Sequence, residues 1–366
     1  MQLSEKKPST TTKVHAQLFH GMDAETCRQN YLAGKVPFET PYDFHLAREE
    51  GFDISFSRDA IRNPKGFLIR FLSRIFEFDV LHAWSNRDRI RGADVIWTLT
   101  EGEAFATAFL FSLGIIPRRP IVANNVWLLH YWKQTRFHKR ALCRYLSRYI
   151  TVLTVHSKEC IAVAKRVFPD TKTQLMYYGI PTGLFKLRAP ASVPANDDGP
   201  ILIFSAGTDR TRDFATLLTA FGNDDRFHLT IICGWLSDDQ IKQYRNVTLI
   251  RPCSMVDFLR CYEEADIVAV PMKENIFSGI TVALEAVAMG KPVVSSRTGG
   301  VPTYFEENDV FYVPVGDAAA MREVVTSTDH TSRWQRAKNA QARFVERDYS
   351  SRALVRRYAE ITRDLL

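Results

Sequence analysis

The sequence predicts an α/β protein built from two Rossmann-like domains that face each other across a cleft. The chain has 366 residues, which is enough for two domains with separate cores. Short apolar runs alternate with helical patterns and glycine turns in both halves, a rhythm that is typical of parallel sheets covered by helices. Residues 188–199, RAPASVPANDDG, are rich in Pro, Ala and Asp and indicate a linker between the halves.

This linker sets the expected domain boundaries. We expect a first domain over residues 1–187, a second domain over residues 200–347 and a final helix over residues 348–366. The first residues lack the apolar core of a signal peptide. The most apolar run, from Ala104 to Pro117, is too short to span a bilayer. We therefore expect a cytoplasmic protein.

Composition and cysteine usage agree with this expectation. With 46% hydrophobic and 24% charged residues, the chain has the composition of a soluble globular protein. Its six cysteines are scattered singly, without the spacing of disulfides or of metal ligands. This pattern predicts reduced thiols and no metal site.

The positive charge is concentrated in the first half. Residues 1–186 contain 27 Lys and Arg against 17 Asp and Glu, whereas the remainder contains 21 against 24. Such asymmetry indicates an anionic partner for the first domain. A membrane surface, a polyanion and a phosphorylated substrate all remain open.

Three acidic residues follow predicted strands of the first domain. Asp23 lies in the turn after the strand from Val14 to His20, and Glu101 and Glu103 follow the strand from Ala93 to Thr100. Open α/β sheets bind ligands at the carboxyl ends of their strands, so these acids are candidates for chemistry. The alternative is that Glu101 or Glu103 caps the next helix, because acids favour helix N-termini.

The stretch from His130 to Ile150 combines basic and aromatic residues. Basic residues recur every three or four positions and predict one face of a helix: Lys133, Arg136, Arg140, Arg144 and Arg148. A basic helix with aromatic residues suits the surface of an anionic membrane. A solvated basic face on a packed helix is the alternative. We expect no nucleic-acid partner, because no recognised nucleic-acid motif accompanies the charge.

Residues 271–302, PMKENIFSGITVALEAVAMGKPVVSSRTGGVP, are the most informative stretch of the chain. A polar turn leads into a predicted helix from Thr281 to Met289, which Gly290 ends. A turn that feeds a helix N-terminus binds anions, so the turn is a candidate diphosphate site, formed by Ser278, Gly279, Ile280 and Thr281. Glu285 lies one helical turn further on, where a carboxylate can accept hydrogen bonds from a ribose. The alternative is an ordinary strand–helix–strand unit.

The segment SGITVALEAVAMGKPVVSSRTGGVP resembles the nucleotide-sugar half of the group 1 glycosyltransferases, which have the GT-B fold. The resemblance implies that Glu285 contacts the nucleotide ribose and that the preceding turn binds the diphosphate of the donor. Many members carry two glutamates with seven residues between them. The second matches Glu285, but Phe277 stands where the first would fall.

Other parts of the second half carry the same resemblance. The segment ILIFSAGTDRTRDFATLLTAF resembles the strand, turn and helix whose loop holds basic residues for the donor diphosphate, with Arg210 and Arg212 as the matching candidates. Arginine suits this role because its planar fork binds two phosphate oxygens at once. Cys253 is the candidate for a backbone contact with the nucleobase. The resemblance also implies that the final helix crosses back onto the first domain.

The resemblance implies a hexosyltransferase-type enzyme that moves a sugar from a nucleoside-diphosphate sugar to a glycan or lipid-linked acceptor, in polysaccharide or glycoconjugate biosynthesis. We expect a UDP-linked donor and no metal or other cofactor. Arg210, Arg212 and the helix N-terminus would stabilise the leaving diphosphate. Most group 1 enzymes retain the anomeric configuration. An inverting enzyme needs a carboxylate base, for which Asp23, Glu101 and Glu103 are all eligible.

Two other classes of protein remain open at this stage. A catalytically silent nucleotide-binding protein of the same fold is one, because Phe277 replaces the first glutamate. A Rossmann oxidoreductase or epimerase is the other. The chain lacks the G-x-G-x-x-G turn after its first strand, which argues against a dinucleotide.

Overall fold

The first domain is built on a parallel sheet. The computed structural model describes residues 11–59, 78–191 and 199–366. The six strands of this sheet run in the order β2-β1-β3-β4-β5-β6, and all of its strand pairs are parallel. Their bounds are β1 Lys13–Gln17, β2 Asp53–Phe56, β3 Val95–Thr98, β4 Ile121–Asn125, β5 Val152–Val155 and β6 Lys172–Leu175.

The second domain repeats this design. Its six strands run in the order β12-β11-β10-β7-β8-β9, again with parallel pairing throughout. Their bounds are β7 Ile201–Ala206, β8 Phe227–Ile232, β9 Val247–Ile250, β10 Ile267–Val270, β11 Val293–Ser296 and β12 Phe311–Val313. The predicted fold class, two Rossmann-like domains, is confirmed.

Helices connect the strands and cover the sheets. In the first domain they are α1 Ala24–Leu32, a 3₁₀ helix Pro41–Arg48, α2 Val80–Ser85, α3 Arg87–Arg91, α4 Glu101–Ser112, α5 Phe137–Ser147 and α6 Lys158–Val167. The second half contributes α7 Phe214–Phe221, α8 Asp238–Ile241, α9 Met255–Glu264, α10 Ile280–Ala288, α11 Val301–Tyr304, α12 Ala318–Ser327, α13 His330–Arg347 and α14 Ser351–Asp364. Of the predicted linker, residues 192–198 lie outside the described residues, so the domain boundaries stay a prediction.

The central strands are apolar because helices cover both faces of each sheet. All residues of β3, β4, β5 and β10 are buried, as expected for parallel strands inside an α/β protein. Serine or aspartate side chains begin several helices by accepting a hydrogen bond from the first turn. Ser157, Asp213 and Ser350 have this role at α6, α7 and α14.

The last helix, α14, leaves the second domain and packs on the first, as the resemblance implied. Leu354, Val355 and Tyr358 are fully buried in one cluster with Val14 and Trp97 of the first sheet. The indole nitrogen of Trp97 donates a hydrogen bond of 2.8 Å to the hydroxyl of Thr362. Each large apolar side chain buried in this way contributes about 1.5–3 kcal/mol. The C-terminal helix is therefore part of the core of the first domain.

The chain passes between the domains twice, and the two passages are hydrogen-bonded to each other. The amide of Ile180 donates to the carbonyl of Tyr349 at 3.0 Å, and the amide of Ser351 donates to the carbonyl of Ile180 at 2.8 Å. Gly179 lies directly against the second passage. A Cβ atom at this glycine would lie 2.0 Å from the carbonyl oxygen of Ser350.

Candidate active site

The strand order places the candidate site at the point where the second sheet reverses direction. Strands β7 and β10 are hydrogen-bonded neighbours, although β8 and β9 follow β7 in the chain. Ligands of open α/β sheets bind outside the carboxyl ends of the strands at such a switch point. The loop after β7 carries Arg212, and the loop after β10 leads through Ser278 into α10. The two parts predicted to bind a diphosphate therefore come together here.

Arg212 is the buried cation of this site. Only 4% of the residue is exposed, and the Nε and Nη1 atoms have no hydrogen-bond partner among the described residues. Its Nε lies 3.6 Å from the nearer carboxylate oxygen of Asp209. Gly207 permits this placement, since a Cβ atom there would lie 2.3 Å from the same Nε. Because a buried charge without full compensation is costly, Arg212 is poised for an anionic ligand.

Arg210 has a different environment. Its side chain is exposed, and the guanidinium lies 5.2 Å from the ring centre of Trp235 in a cation–π contact. Arg212, in contrast, interacts electrostatically with Glu285. The sequence left open which of the two arginines reaches the phosphate, and this geometry favours Arg212.

The turn before α10 is fixed by side-chain hydrogen bonds. The Asn275 Oδ1 atom accepts from the amides of Phe277 at 3.0 Å and Ser278 at 2.8 Å. Gly279 has φ of +92°, and no side chain of the described residues caps the helix. The dipole and the first amides of α10 are thus left for an anion. Helix α10 begins at Ile280, one residue before the predicted start at Thr281.

Asp209 ties the two loops together. Its Oδ2 accepts a hydrogen bond of 2.7 Å from the hydroxyl of Ser278, and its Oδ1 accepts one of 2.9 Å from the amide of Thr211. Burial alone would raise the pKa of Asp209, but the Arg212 charge and these hydrogen bonds lower it. Asp209 is therefore ionised and helps to hold Arg212 in place. Sequence reasoning missed this residue, although its position between Gly207 and Arg212 was a signal.

Glu285 lies beneath the turn and is 6% exposed. Its Oε2 accepts a hydrogen bond of 2.7 Å from the hydroxyl of Tyr262, which the sequence analysis did not identify. Burial raises the pKa of Glu285 to about 8, against the opposing effects of the Tyr262 hydrogen bond and the Arg212 charge. In the nucleotide-free protein this carboxyl therefore takes up a proton below about pH 8.

The raised pKa of Glu285 predicts a pH-dependent stability. Between its ordinary pKa of 4.5 and the folded value of about 8, the folded state binds a proton that the unfolded state has lost. The free energy of unfolding should therefore fall as pH rises through this window, by up to about 1.4 kcal/mol per pH unit. We expect Glu285→Gln to make this decline shallower, while the part due to Glu103, whose pKa is also raised to about 8, remains. Urea unfolding at several pH values measures this dependence, with the exposed Glu264→Gln as control. If the free energy of unfolding has the same slope against pH in wild type and Glu285→Gln, the prediction is wrong.

Phe277 joins the two domains at the edge of the site. Its side chain packs against the core of the first domain, and its ring centre lies 5.4 Å from that of His130. The carbonyl of the preceding Ile276 accepts a hydrogen bond from the hydroxyl of Ser157. The position where the resemblance implied a glutamate thus holds an apolar contact between domains.

His130 is a site residue that sequence reasoning missed. It follows β4 and lies across the cleft from the loop after β7. Burial lowers its pKa, while the charge of Asp209 acts in the opposite direction. The sequence indicated this role only through the position of His130 after a strand of the first domain. The basic stretch beside it was interpreted instead. His130 brings a ring nitrogen of the first domain to the donor side of the cleft.

The acids of the first domain have structural roles in this conformation. Asp23 caps α1 by accepting from the amides of Glu25 and Thr26, and these bonds outweigh burial and lower its pKa. Glu103 forms a capping box with Thr100, and burial raises its pKa to about 8.

The Glu101 carboxylate accepts backbone hydrogen bonds from Val126, Trp127 and Leu128. The geometry favours the capping alternative for Glu103 and a loop-holding role for Glu101. A catalytic role for Asp23, Glu101 or Glu103 stays a prediction. Cys253 lies in the loop between β9 and α9, partly exposed, and its contact with a nucleobase also stays a prediction.

The basic stretch is only partly helical, which corrects the expectation of one continuous face. Helix α5 spans Phe137–Ser147 and contains Arg140 and Arg144. Arg136 and Arg148 flank the helix, and Lys133 lies in the preceding turn. The helix starts late because Trp132 is buried in the core of the first domain and residues 127–135 form hydrogen-bonded turns around it.

The two-domain architecture, with its two parallel six-stranded sheets, is the GT-B fold. Residues 200–328 match the family described as Glycosyl transferases group 1. The resemblance predicted from the sequence is confirmed.

Solved structures with the same fold cover nearly the whole chain. Sucrose-phosphate synthase from Thermosynechococcus elongatus has a TM-score of 0.71 at 19% identity, over 96% of this chain and 99% of that one. HepE from Anabaena, in complex with UDP-glucose, has a TM-score of 0.66 at 15% identity, over 96% of this chain and 99% of its own. At these low sequence identities, the similarity shows a shared fold only.

Curated relatives match a short segment. D-inositol 3-phosphate glycosyltransferase from Mycobacterium sp. (strain KMS) is 42% identical over 64 residues, which are 18% of this chain and 14% of the relative. The protein of the same name from Corynebacterium jeikeium (strain K411) is 47% identical over 58 residues, 16% of this chain and 13% of the relative. The matched segment thus spans about one seventh of these relatives.

Proposed function

We propose that the protein is a glycosyltransferase that moves a sugar from a nucleoside-diphosphate sugar to an acceptor held by the first domain. The main support for this proposal is that two features lie together at the switch point of the second sheet. They are the buried Arg212 and the start of α10, which no side chain of the described residues caps. A diphosphate leaving group supplies the anion that both features fit. The family of residues 200–328 supports the same reaction.

The donor is proposed to be a UDP-sugar. HepE, which shares the fold, is known in complex with UDP-glucose. Bond cleavage at the anomeric carbon places negative charge on the departing diphosphate. Arg212 and the amides at the start of α10 would stabilise that charge without reorganisation, because Gly207, Asp209 and Asn275 already fix their positions. We propose that no metal takes part, so EDTA should leave turnover unchanged.

Nucleotide binding tests the donor site. UDP at a hundred times its dissociation constant should stabilise the protein by about 2.7 kcal/mol. A thermal-shift series with UDP, GDP, ADP and NAD should show the largest rise with UDP, and Glu285→Gln should reduce that rise. Glu264→Gln, an exposed change on α9, is the matched control. A rise with NAD alone would overturn the proposal in favour of an oxidoreductase.

A catalytically silent nucleotide-binding protein is the second candidate. Phe277 favours it, because an apolar side chain that packs between the domains stands where many relatives have a glutamate. Release of UDP from UDP-sugars, followed with and without a panel of glycan and lipid-linked acceptors, separates the candidates. Tight UDP binding without turnover of any sugar donor would favour the silent protein.

The acceptor is proposed to be a glycan or a lipid-linked sugar in polysaccharide or glycoconjugate biosynthesis, reached at the membrane surface. No helix in the described parts of the chain is long and apolar enough to cross a bilayer. Around α5, however, Phe137 is 78% exposed and Tyr145 42% exposed. Exposed basic residues surround them: Lys133, Arg136, Arg144 and Arg148. Basic and aromatic residues on one surface suit an anionic membrane, which supports a cytoplasmic protein bound to the face of the membrane.

Vesicle sedimentation tests the membrane proposal. Each basic residue near an anionic surface contributes about 1 kcal/mol, so replacing these four by glutamine should remove most of the binding at low salt. The control replaces four exposed basic residues of the second domain: Lys242, Arg245, Arg251 and Arg260. If wild type does not sediment with phosphatidylglycerol vesicles at low salt, this part of the proposal fails.

A further inference from the structure

The first domain contains a cavity that is separate from the proposed donor site. Its volume is about 440 Å³, within the range of small-molecule sites. The start of α1, residues 39–48, the end of β2 and helix α3 surround it. Four arginines line it: Arg28, Arg48, Arg58 and Arg89.

The acids that line this cavity already have partners. Asp23 is held by the amides at the start of α1. Glu39 lies 3.2 Å from Nε of Arg28 and 3.6 Å from Nε2 of His45. Glu25 accepts a hydrogen bond of 3.2 Å from the side chain of Gln29. Each of these carboxylates thus has a hydrogen-bond or ion-pair partner, and the four arginines of the lining outnumber the three acids.

Three of the arginines are not paired in this way. Within residues 11–59, 78–191 and 199–366, the guanidinium groups of Arg48, Arg58 and Arg89 have no hydrogen bond or ion pair. They come from three separate parts of the fold: the 3₁₀ helix, the loop after β2 and α3. Several unpaired guanidinium groups around one cavity can bind the same oxyanion together.

The cavity lies in the domain that is proposed to hold the acceptor. Asp23 follows β1 and Arg58 follows β2, so the cavity opens at the carboxyl ends of the first sheet. The loop after α1 touches the second domain, where the carbonyl of Gly34 accepts a hydrogen bond of 3.0 Å from the amide of Met255. The residues that line the cavity belong to the first domain, and the loop after α1, whose helix starts at the cavity, reaches the second domain.

We propose that this cavity binds the acceptor and that the acceptor carries a phosphate group held by Arg48, Arg58 and Arg89. Phosphate fits better than carboxylate, because it offers more oxygens and up to two negative charges to the three forks. The acceptor assignment rests on the proposed glycosyl transfer, whereas the phosphate site does not. Its source is either a small phosphorylated molecule or the headgroup of a phospholipid-linked acceptor.

Calorimetric titration with inorganic phosphate tests the site, with UDP added to saturation to occupy the donor site. The variant Arg48→Gln/Arg58→Gln/Arg89→Gln should bind phosphate at least tenfold more weakly than wild type. The control Arg87→Gln/Arg91→Gln changes helix α3 at arginines that already pair with Asp88 and should bind as wild type does. Circular dichroism melts of both variants confirm folding. Equal phosphate affinity in wild type and the triple variant, or no binding to wild type, overturns the proposal.

Two further titrations separate the sources of phosphate. Stronger binding of glycerol 3-phosphate than of glycerol would indicate a small phosphorylated acceptor. Stronger binding to phosphatidylglycerol vesicles than to phosphatidylcholine vesicles would indicate a lipid headgroup. The arginine-dependent difference should appear in one of these pairs, and its absence from both contradicts an acceptor site. If UDP does not bind but arginine-dependent phosphate binding remains, the proposed transfer fails while the phosphate site stands.

Discussion

Replacing Arg212 with glutamine should lower kcat/KM for the donor by about 10²–10³-fold, the usual cost of removing one preorganised donor to a developing charge. The reason is geometric. Gly207 lets the side chain fold back under the loop, and its buried Nε and Nη1 have no partner among the described residues. A diphosphate leaving group would complete these hydrogen bonds, and glutamine cannot supply the charge.

Arg210→Gln is the comparison that makes this result specific. Arg210 is exposed and lies over Trp235, so its loss should change kcat/KM by about tenfold or less. Release of UDP measures turnover, and the UDP-induced thermal shift measures binding. If both variants lose activity equally, the loop contributes as a whole. If only Arg210→Gln is inactive, the placement of the diphosphate on Arg212 is wrong.

Replacing Gly179 with alanine should destabilise the protein by about 3 kcal/mol, at the upper end of the usual cost of overpacking. The added Cβ would lie 2.0 Å from the carbonyl oxygen and 2.3 Å from the carbonyl carbon of Ser350. Both are backbone atoms, so no side-chain rotation relieves the contact. The two interdomain passages would have to separate, breaking the hydrogen bonds of Ile180 with Tyr349 and Ser351.

Gly183→Ala is the matched control, because within the described residues no atom beyond its two chain neighbours lies within 4 Å of a Cβ at that exposed glycine. Its free energy of unfolding should change by less than about 0.5 kcal/mol. The midpoint of the first urea transition is the measurement, since a two-domain chain need not unfold in one step. Equal midpoints for the two alanine variants would show that the passages separate without cost.

Local signals explain why the second domain was well predicted. Helix starts and stops such as Ser278, Gly279 and Gly290 act within a few residues, and they place the turn before α10 and its end within one or two positions. The alternation of buried strands and capped helices likewise follows from short patterns. What the sequence could not decide is where a flexible side chain points. Arg210 and Arg212 are two residues apart, and only the space left by Gly207 separates their roles.

Contacts between distant parts of the chain explain the features that the sequence did not predict. The meeting of His130 with Phe277 joins the two domains across 147 residues and leaves no local pattern. Lys133 was predicted on a helix because its spacing fits the helical period, but burial of Trp132 holds the chain in a turn there. Tyr42 and Asp43 adopt φ of 56° and 54° inside a segment of helical composition. Tertiary packing decides each of these cases.

The crossing of α14 onto the first sheet has a consequence for biosynthesis. Domains generally fold as units while the ribosome is still adding the chain behind them, with the N-terminal domain first. Here the cluster around Val14 and Trp97 gains Leu354, Val355 and Tyr358 only when α14 emerges, after the second domain. The core of the first domain therefore stays incomplete until the second domain has been translated. A chain cut short before Ser351 should expose an apolar face to chaperones and proteases even though the second domain is whole.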